Sequence, residues 1–190
     1  KILLVGTIRG TCLYDPKRDS LIGITERFPY ASVLDTTGIK KIISFNNYEY
    51  WIITYNKGLY LLNTSNQTLS SYFSNDGNES SVNCVVDYQG KIIAAVSNQL
   101  FHLQKTSDRY EPVRIPINFD FPEIKELFNY QQSLWIGSQA QGCYFIIGEL
   151  KTGSTVNQLP LAASGIGCFT TDPSNQLWIG TRGNGLARYN

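Results

Sequence analysis

Leu177-Trp178-Ile179-Gly180-Thr181-Arg182-Gly183-Asn184-Gly185-Leu186-Ala187-Arg188-Tyr189-Asn190 is the last of five related stretches in the sequence. The others begin Leu3-Leu4-Val5-Gly6-Thr7, Tyr50-Trp51-Ile52-Ile53-Thr54, Lys91-Ile92-Ile93-Ala94-Ala95 and Leu134-Trp135-Ile136-Gly137-Ser138. Their second residues, Leu4, Trp51, Ile92, Trp135 and Trp178, stand 47, 41, 43 and 43 residues apart. A period of roughly 40–50 residues marks a repeat architecture in which each unit is one small sheet.

Each unit reads as four strands, A to D. Strand A precedes the anchor and runs Ile39 to Phe45, Val82 to Val86, Ile124 to Phe128 and Ile166 to Thr170. Turn-forming residues follow, as in Asp87-Tyr88-Gln89-Gly90 and Asp172-Pro173-Ser174-Asn175-Gln176. The anchor strand B alternates, with Leu177, Ile179 and Thr181 on one face and Trp178 and Gly180 on the other. Small residues at Gly6, Ala94, Gly137 and Gly180 leave room for a bulky neighbour from the next sheet, and Ile53 departs from this pattern. A hairpin follows whose Gly10, Gly58, Gly142 or Gly185 supplies a left-handed backbone. Gln99 takes that place in the third copy, where Asn98 is expected to carry the positive φ. Strand C then runs Leu59 to Leu62, Leu100 to Leu103, Cys143 to Ile146 and Leu186 to Tyr189, and strand D is exemplified by Thr68 to Phe73. Helical periodicity is absent, and Pro122 to Phe128 reads as a strand lead-in. Four short strands cannot stand alone, so neighbouring sheets must bury one another's faces. The expected fold is all-β, a β-propeller.

The repeat units fall at about 1–37, 38–79, 80–121, 122–163 and 164–190, within one propeller fragment. The sequence opens at strand B and stops at strand C, giving 18 strands with a partial unit at each end. This is read as an arc of four to five blades of a larger propeller rather than a ring closed on five. The absence of Met and the start inside a strand pattern agree with a piece of a longer protein.

Bulk composition excludes several classes. The 190 residues carry 16 basic and 15 acidic side chains, a net charge of +1, so no basic face exists for a nucleic-acid backbone. No run approaches the roughly 18 apolar residues of a membrane span, and no membrane contact by this segment is expected. The four cysteines, Cys12, Cys84, Cys143 and Cys168, lack CxxC spacing and have one histidine, His102, for company. Neither zinc nor any other metal or cofactor is indicated, and each cysteine reads as a small buried hydrophobe.

The wording Leu-Trp-Ile-Gly-Thr-x-x-x-Gly-Leu-x-x-Tyr-Asn at 177–190 closely resembles the two-component regulator propeller repeat. Leu134 to Gly142, Trp51 to Asn63 and Leu4 to Asp15 are weaker copies, and Ile92 to Gln104 is the most degenerate. The resemblance implies the periplasmic sensor region of a Bacteroides-type hybrid two-component histidine kinase. In that family two propellers precede an immunoglobulin-like domain, a membrane helix that anchors the parent in the inner membrane, a kinase, a receiver and a DNA-binding module. It also implies an oligosaccharide ligand drawn from dietary or host glycans, a conformational signal passed to the kinase, and no kinase activity in this chain. The rest of the parent and a second copy, as a dimer, are the other expected partners.

On the face where the B–C loops gather, Arg9, Tyr55, Asn56, Lys57, Gln139, Gln141, Arg182 and Asn184 are the candidate ligand-binding residues. Planar amides and guanidinium groups suit sugar hydroxyls, and an aromatic ring suits an apolar sugar face. Of the D–A aromatics, Phe28, Tyr30, Phe119 and Phe121 serve packing or binding equally well. No catalytic residue is assigned. Asp87 and Asp172 read as turn formers, Asp120, Glu123 and Glu126 as a solvated cluster, and His102 as an outward-facing strand residue. The spacing from Asp172 to Trp178 is one residue too long for the Asp-box of sialidase propellers. Asn63, Asn66 and Asn78 begin Asn-x-Ser/Thr sequons that arise by chance in a bacterial chain. A propeller enzyme acting on polysaccharide, lyase or glycoside hydrolase, and a protein-interaction scaffold stand as alternatives.

Overall fold

The computed structural model describes residues 3–74, 81–107, 109–161 and 165–189, which form five antiparallel up-and-down sheets in two compact units, Lys1–Val82 and Asn83–Asn190. In the first unit, β1 (Leu4–Thr7), β2 (Gly10–Asp15) and β3 (Ser20–Gly23) make a three-stranded sheet. A short helix α1 (Ile24–Arg27) and a 3-10 stretch (Pro29–Asp35) lead to the second sheet. That sheet orders β4 (Ile39–Ser44), β5 (Glu49–Thr54), β6 (Leu59–Asn63) and β7 (Thr68–Tyr72). The helical turns were not expected. They are too short to display a period, yet Ile24, Ala31 and Leu34 are fully buried and join Leu13, Ile39, Ile52 and Leu62 in one core.

The second unit carries three sheets, and Val82 is the residue at which the first unit ends and β8 begins. β8 (Val82–Tyr88), β9 (Lys91–Val96), β10 (Gln99–Lys105) and β11 (Tyr110–Arg114) form the third sheet. β12 (Ile124–Tyr130), β13 (Ser133–Ser138), β14 (Cys143–Ile147) and β15 (Val156–Leu159) form the fourth. β16 (Ile166–Thr171), β17 (Leu177–Thr181) and β18 (Leu186–Tyr189) form the fifth. Strand starts match the sequence reading in every A strand.

Period-two alternation becomes sheet-to-sheet packing. Leu134 and Ile136 face the third sheet in a core with Ile93, Leu100, Ile124 and Tyr144. Trp135, from the opposite face of the same strand, joins Tyr130, Ile166, Leu177 and Ile179 of the fifth-sheet core. The small residues are sockets. A Cβ on Gly137 would lie 2.7 Å from Ile166 Cβ, and one on Gly6 would lie 2.6 Å from Ile39 Cγ2. In both cases the first residue of the next strand A fills the vacated volume, as close packing requires. Ile53, which breaks the small-residue pattern, is fully buried.

The end of strand A near the B–C loop is irregular in three sheets. Register shifts fall between Ile39 and Lys41, Ile124 and Glu126, and Ile166 and Cys168. A bulge at the start of each strand bends it beside the loop. Hairpin glycines behave as expected, with φ of 75° at Gly58, 80° at Gly142 and 72° at Gly185. In the third sheet the expectation needs correction: Val96 pairs with Gln99, and Ser97, not Asn98, takes the positive φ of 55°. A two-residue turn places the left-handed residue first, as in a type II′ turn.

One further reading is corrected by burial. All four cysteines are free thiols, with Cys84 and Cys143 buried, Cys12 half-buried and Cys168 exposed. Burial pushes the Cys143 thiol up to about 12, so it is inert at neutral pH. Among the described residues no helix is long and apolar enough to cross a membrane.

Candidate functional site

The B–C loops are built by a hydroxyl at the end of strand B. In the second sheet Thr54 Oγ1 donates to Gly58 O (2.8 Å) and accepts from Lys57 N (2.9 Å). Ser138 Oγ does the same with Gly142 O and Gln141 N, both at 2.9 Å. Thr181 Oγ1 repeats it with Gly185 O (2.8 Å) and Asn184 N (3.1 Å). Thr54 and Ser138 are buried, so each clip replaces the water that loop groups would otherwise need. The result is a three-residue loop, 55–57, 139–141 or 182–184, held between a hydroxyl and a left-handed glycine. Thr7 makes a tighter version over two residues, bonding Gly10 O at 2.9 Å. Ala95 has no hydroxyl, and its sheet has the short Ser97–Asn98 turn instead.

Every candidate ligand-binding residue therefore sits on such a loop, and all eight (Arg9, Tyr55, Asn56, Lys57, Gln139, Gln141, Arg182 and Asn184) are exposed. Two glycines that sequence reasoning passed over bring neighbouring loops together. A Cβ on Gly165 would lie 1.8 Å from Gln139 O and 3.4 Å from Arg182 Cδ. The fourth-sheet loop thus runs over Gly165 backbone, which bonds Arg182 N through its carbonyl at 2.7 Å. In the first unit Gly38 plays the same part. Its Cβ would lie 2.9 Å from Ile8 O and 3.2 Å from the Tyr55 ring, while Gly38 O accepts from Tyr55 N at 3.1 Å. Gln139 is thereby set beside Arg182, and the Ile8–Arg9 turn beside Tyr55. The signal available in sequence was the shared Gly-Ile at Gly38-Ile39 and Gly165-Ile166.

Between the third and fourth sheets the fastening differs. Ile124 N donates to Ser97 O (2.8 Å), and the buried Asn83 amide donates to Ile124 O (2.7 Å). At the opposite end, tyrosines at the close of strand A tie sheet to sheet. Tyr88 Oη lies within hydrogen-bond distance of Gly148 O (2.6 Å) and Gln132 O (2.8 Å), and Tyr130 Oη donates to Asn175 O at 2.8 Å.

The remaining ionisable groups are placed as follows. Asp87 Oδ1 accepts from Gly90 N at 3.0 Å. Asp172 Oδ1 accepts from Ser174 N and Gln176 N, and Oδ2 accepts from the Trp178 indole at 3.0 Å. These donors hold the Asp172 carboxyl below the usual aspartate range, the Gln176 N–H most of all. Glu126 Oε2 accepts from the Cys84 thiol at 3.2 Å, Lys125 pairs with Glu123, and Asp120 is exposed. His102 does not face outward as expected. It is half-buried and lines a cavity of about 170 Å³ with Lys91, Arg114 and Glu149. Burial first, then the nearby Lys91 ammonium, lowers its pKa and favours the neutral ring. Phe28 and Phe121 are buried packing residues, while Tyr30 is half-buried and Phe119 exposed. Asn63 Oδ1 caps its own turn, accepting from Ser65 N and Asn66 N; Asn78 lies outside the described residues. Among the described residues no group of three or more His, Cys, Asp and Glu side chains is placed to hold a metal.

Solved structures share this arrangement of sheets over nearly the whole chain. The extracellular domain of the hybrid two-component system BT4673 of B. thetaiotaomicron matches 100% of it at TM-score 0.73 and 18% identity. The fold is a β-propeller. The corresponding domain of BT3049 from the same organism matches 98% of the chain at TM-score 0.66 and 19% identity. A catalytically inactive virginiamycin B lyase from Staphylococcus aureus matches 100% at TM-score 0.63 and 11% identity, covering 74% of that enzyme. The chain spans about a quarter of the two sensor domains, 25% and 24% of their lengths. No family model and no curated protein sequence matches the chain. The five sheets are thus propeller blades, and the clipped loops are the B–C loops of blades one, two, four and five.

Proposed function

We propose that this chain is part of the extracytoplasmic, ligand-sensing region of a two-component signalling protein. It recognises an oligosaccharide through its B–C loops and passes a conformational signal to a kinase outside the chain. The observation that carries this reading is the pairing of adjacent loops, which brings the Gln139 backbone to the Arg182 side chain across Gly165 in one unit and the Ile8–Arg9 turn to the Tyr55 ring across Gly38 in the other. Exposed polar groups on rigid loops bind sugars without a large ordering cost. The repeat wording at 177–190 and the fold shared with the two Bacteroides domains support the signalling context.

The propeller lyases keep an enzymatic alternative in view, since 74% of one such enzyme is covered at the level of fold. His102 is half-buried and neutral, with Glu149 as the carboxylate sharing its cavity among the described residues, and binding is the reading retained. A glycan array probed with the labelled chain tests it. Retention of oligosaccharides that falls about tenfold in Arg182→Ala and in Gln139→Ala is expected. Retention unchanged by both substitutions, or turnover of a retained glycan, contradicts it.

A further inference from the structure

Blade two carries a second concave surface at the opposite end of β5 from its B–C loop. It encloses about 900 Å³ and is lined by Arg27, Phe28, Phe45, Asn47, Tyr48 and Ser65, among others. That volume lies in the range of ligand clefts, roughly 300–1,000 Å³, and the mix of aromatic rings with a few polar groups is the expected lining.

The A–B turn that forms one wall is longer than those of the third and fourth sheets, while that of the fifth, 172–176, is longer still. Between strands A and B the third and fourth sheets use two residues, 89–90 and 131–132, whereas this sheet uses four, 45–48. Phe45 stands six residues after Ile39, as Tyr88 does after Val82 and Tyr130 after Ile124. Lacking a hydroxyl, it makes no tyrosine-type tie at this end. The longer turn is nonetheless rigid. Asn46 Oδ1 accepts from Tyr48 N (2.9 Å) and Glu49 N (2.8 Å), and Asn46 Nδ2 donates to Glu49 Oε2. Ser44 Oγ donates to Asn46 O, and Thr64 N donates to Tyr48 O at 2.9 Å, fastening the turn to the C–D turn.

Rigidity here does not serve to bury the ring it presents. Tyr48 is 59% exposed on this ordered turn. Around it, the Asn47 amide and the Ser65 hydroxyl are exposed side chains on two different turns. Arg27, at the end of α1, has the Phe28 ring beside its guanidinium, 5.8 Å from the centroid, and makes no ion pair among the described residues. Among the described residues no carboxylate lines the groove. A flat ring, an amide, a hydroxyl and one cation without an acidic partner suit a sugar that carries a carboxylate.

We infer that this groove of blade two is a binding site for an acidic, uronate-containing oligosaccharide, with Tyr48 as the stacking platform and Arg27 as the carboxylate partner. The inference rests on the sensing reading for its ligand class alone; the site is separate from the B–C loops. The test is retention by the full chain of a panel of oligogalacturonate, oligomannuronate and hyaluronate tetramers beside neutral galactose and mannose oligomers, with dissociation constants by calorimetry. Uronate binding that weakens about tenfold or more in Tyr48→Ala and in Arg27→Gln, and falls with added salt, is expected. Both side chains are exposed, and circular dichroism checks that the variants stay folded. Equal retention of neutral and acidic oligomers, indifferent to Arg27→Gln, overturns the ligand class. Binding lost in Arg182→Ala and Gln139→Ala but kept in Tyr48→Ala overturns the groove and leaves the loop reading standing. Retention of an acidic peptide in preference to every glycan, or of nothing on the panel, also overturns the proposal.

Discussion

Two seams of the second unit, built from the same repeat, are fastened in different ways at their loop ends. Between blades four and five a carbonyl of the Gln139 loop lies over Gly165, and Gly165 in turn bonds Arg182 N. Between blades three and four, Ser97 O accepts directly from Ile124 N and the buried Asn83 amide completes the tie. The first fastening leaves a three-residue polar loop standing on each side; the second leaves a two-residue turn. The chemistry follows the fastening: where Ser138 and Thr181 clip a loop, Gln139, Gln141, Arg182 and Asn184 are displayed, and where Ala95 stands, nothing comparable is.

The comparison can be broken most forcefully at Gly165. Gly165→Ala puts a methyl 1.8 Å from a backbone oxygen, which no rotamer can relieve. A loss of at least about 3 kcal/mol in denaturant unfolding, or failure to fold, is expected; a near-neutral Gly165→Ala would mean that the loops do not meet there. At the other end of the seams, Tyr88→Phe removes the hydroxyl shared by Gln132 O and Gly148 O, and about 1–2 kcal/mol should be lost. Phe45 already lacks that hydroxyl in blade two, so Phe45→Tyr should not produce a comparable gain.

Ser138→Ala is a gentler probe of the clip. It takes a buried hydroxyl from Gly142 O and Gln141 N and should cost about 1 kcal/mol, with faster hydrogen exchange at the Gln141 amide. Unchanged exchange at Gln141 would show that the loop is held by its glycine alone. The smallest effect is electrostatic. The depressed carboxyl of Asp172 contributes stability that is present above the ordinary aspartate pKa and lost as pH falls through the lower folded value. Trp178 fluorescence should report this acid transition, and Asp172→Asn should abolish it; a transition that survives the substitution belongs to another group.

Much of this fold was legible because period and alternation are local. The starts of β4, β8, β12 and β16, the left-handed Gly58, Gly142 and Gly185, and the sockets at Gly6 and Gly137 follow from spacing and residue size. What was misread depends on partners distant in sequence. Gly165 matters because of a carbonyl 26 residues earlier, at position 139, and the Gly-Ile it shares with Gly38-Ile39 does not say which loop approaches it. Ser97 rather than Asn98 takes the positive φ because the ladder closes Val96 on Gln99, a register that composition does not fix. His102 was placed on the wrong face for want of knowing which side of β10 meets the fourth sheet. Cys168 was expected to be buried with the others, yet it stands exposed on β16. The hydroxyl clips were within reach: Thr54, Ser138 and Thr181 each stand four residues before a hairpin glycine, while Ala95 marks the copy without one. The eight loop residues stand exposed on B–C loops, and the approach of neighbouring loops across Gly38 and Gly165 was not visible in the sequence.

The most direct test of the account is amide chemical-shift mapping of the labelled chain during titration with an oligosaccharide that it retains. Blade three serves as the internal control, since its Ser97–Asn98 turn shares the repeat but lacks the clipped loop. Shifts concentrated at 139–142 and 181–185, with 97 and 98 silent, are the predicted result. Equal shifts at 97 and 98, or binding that leaves 139–142 and 181–185 unmoved, would contradict it.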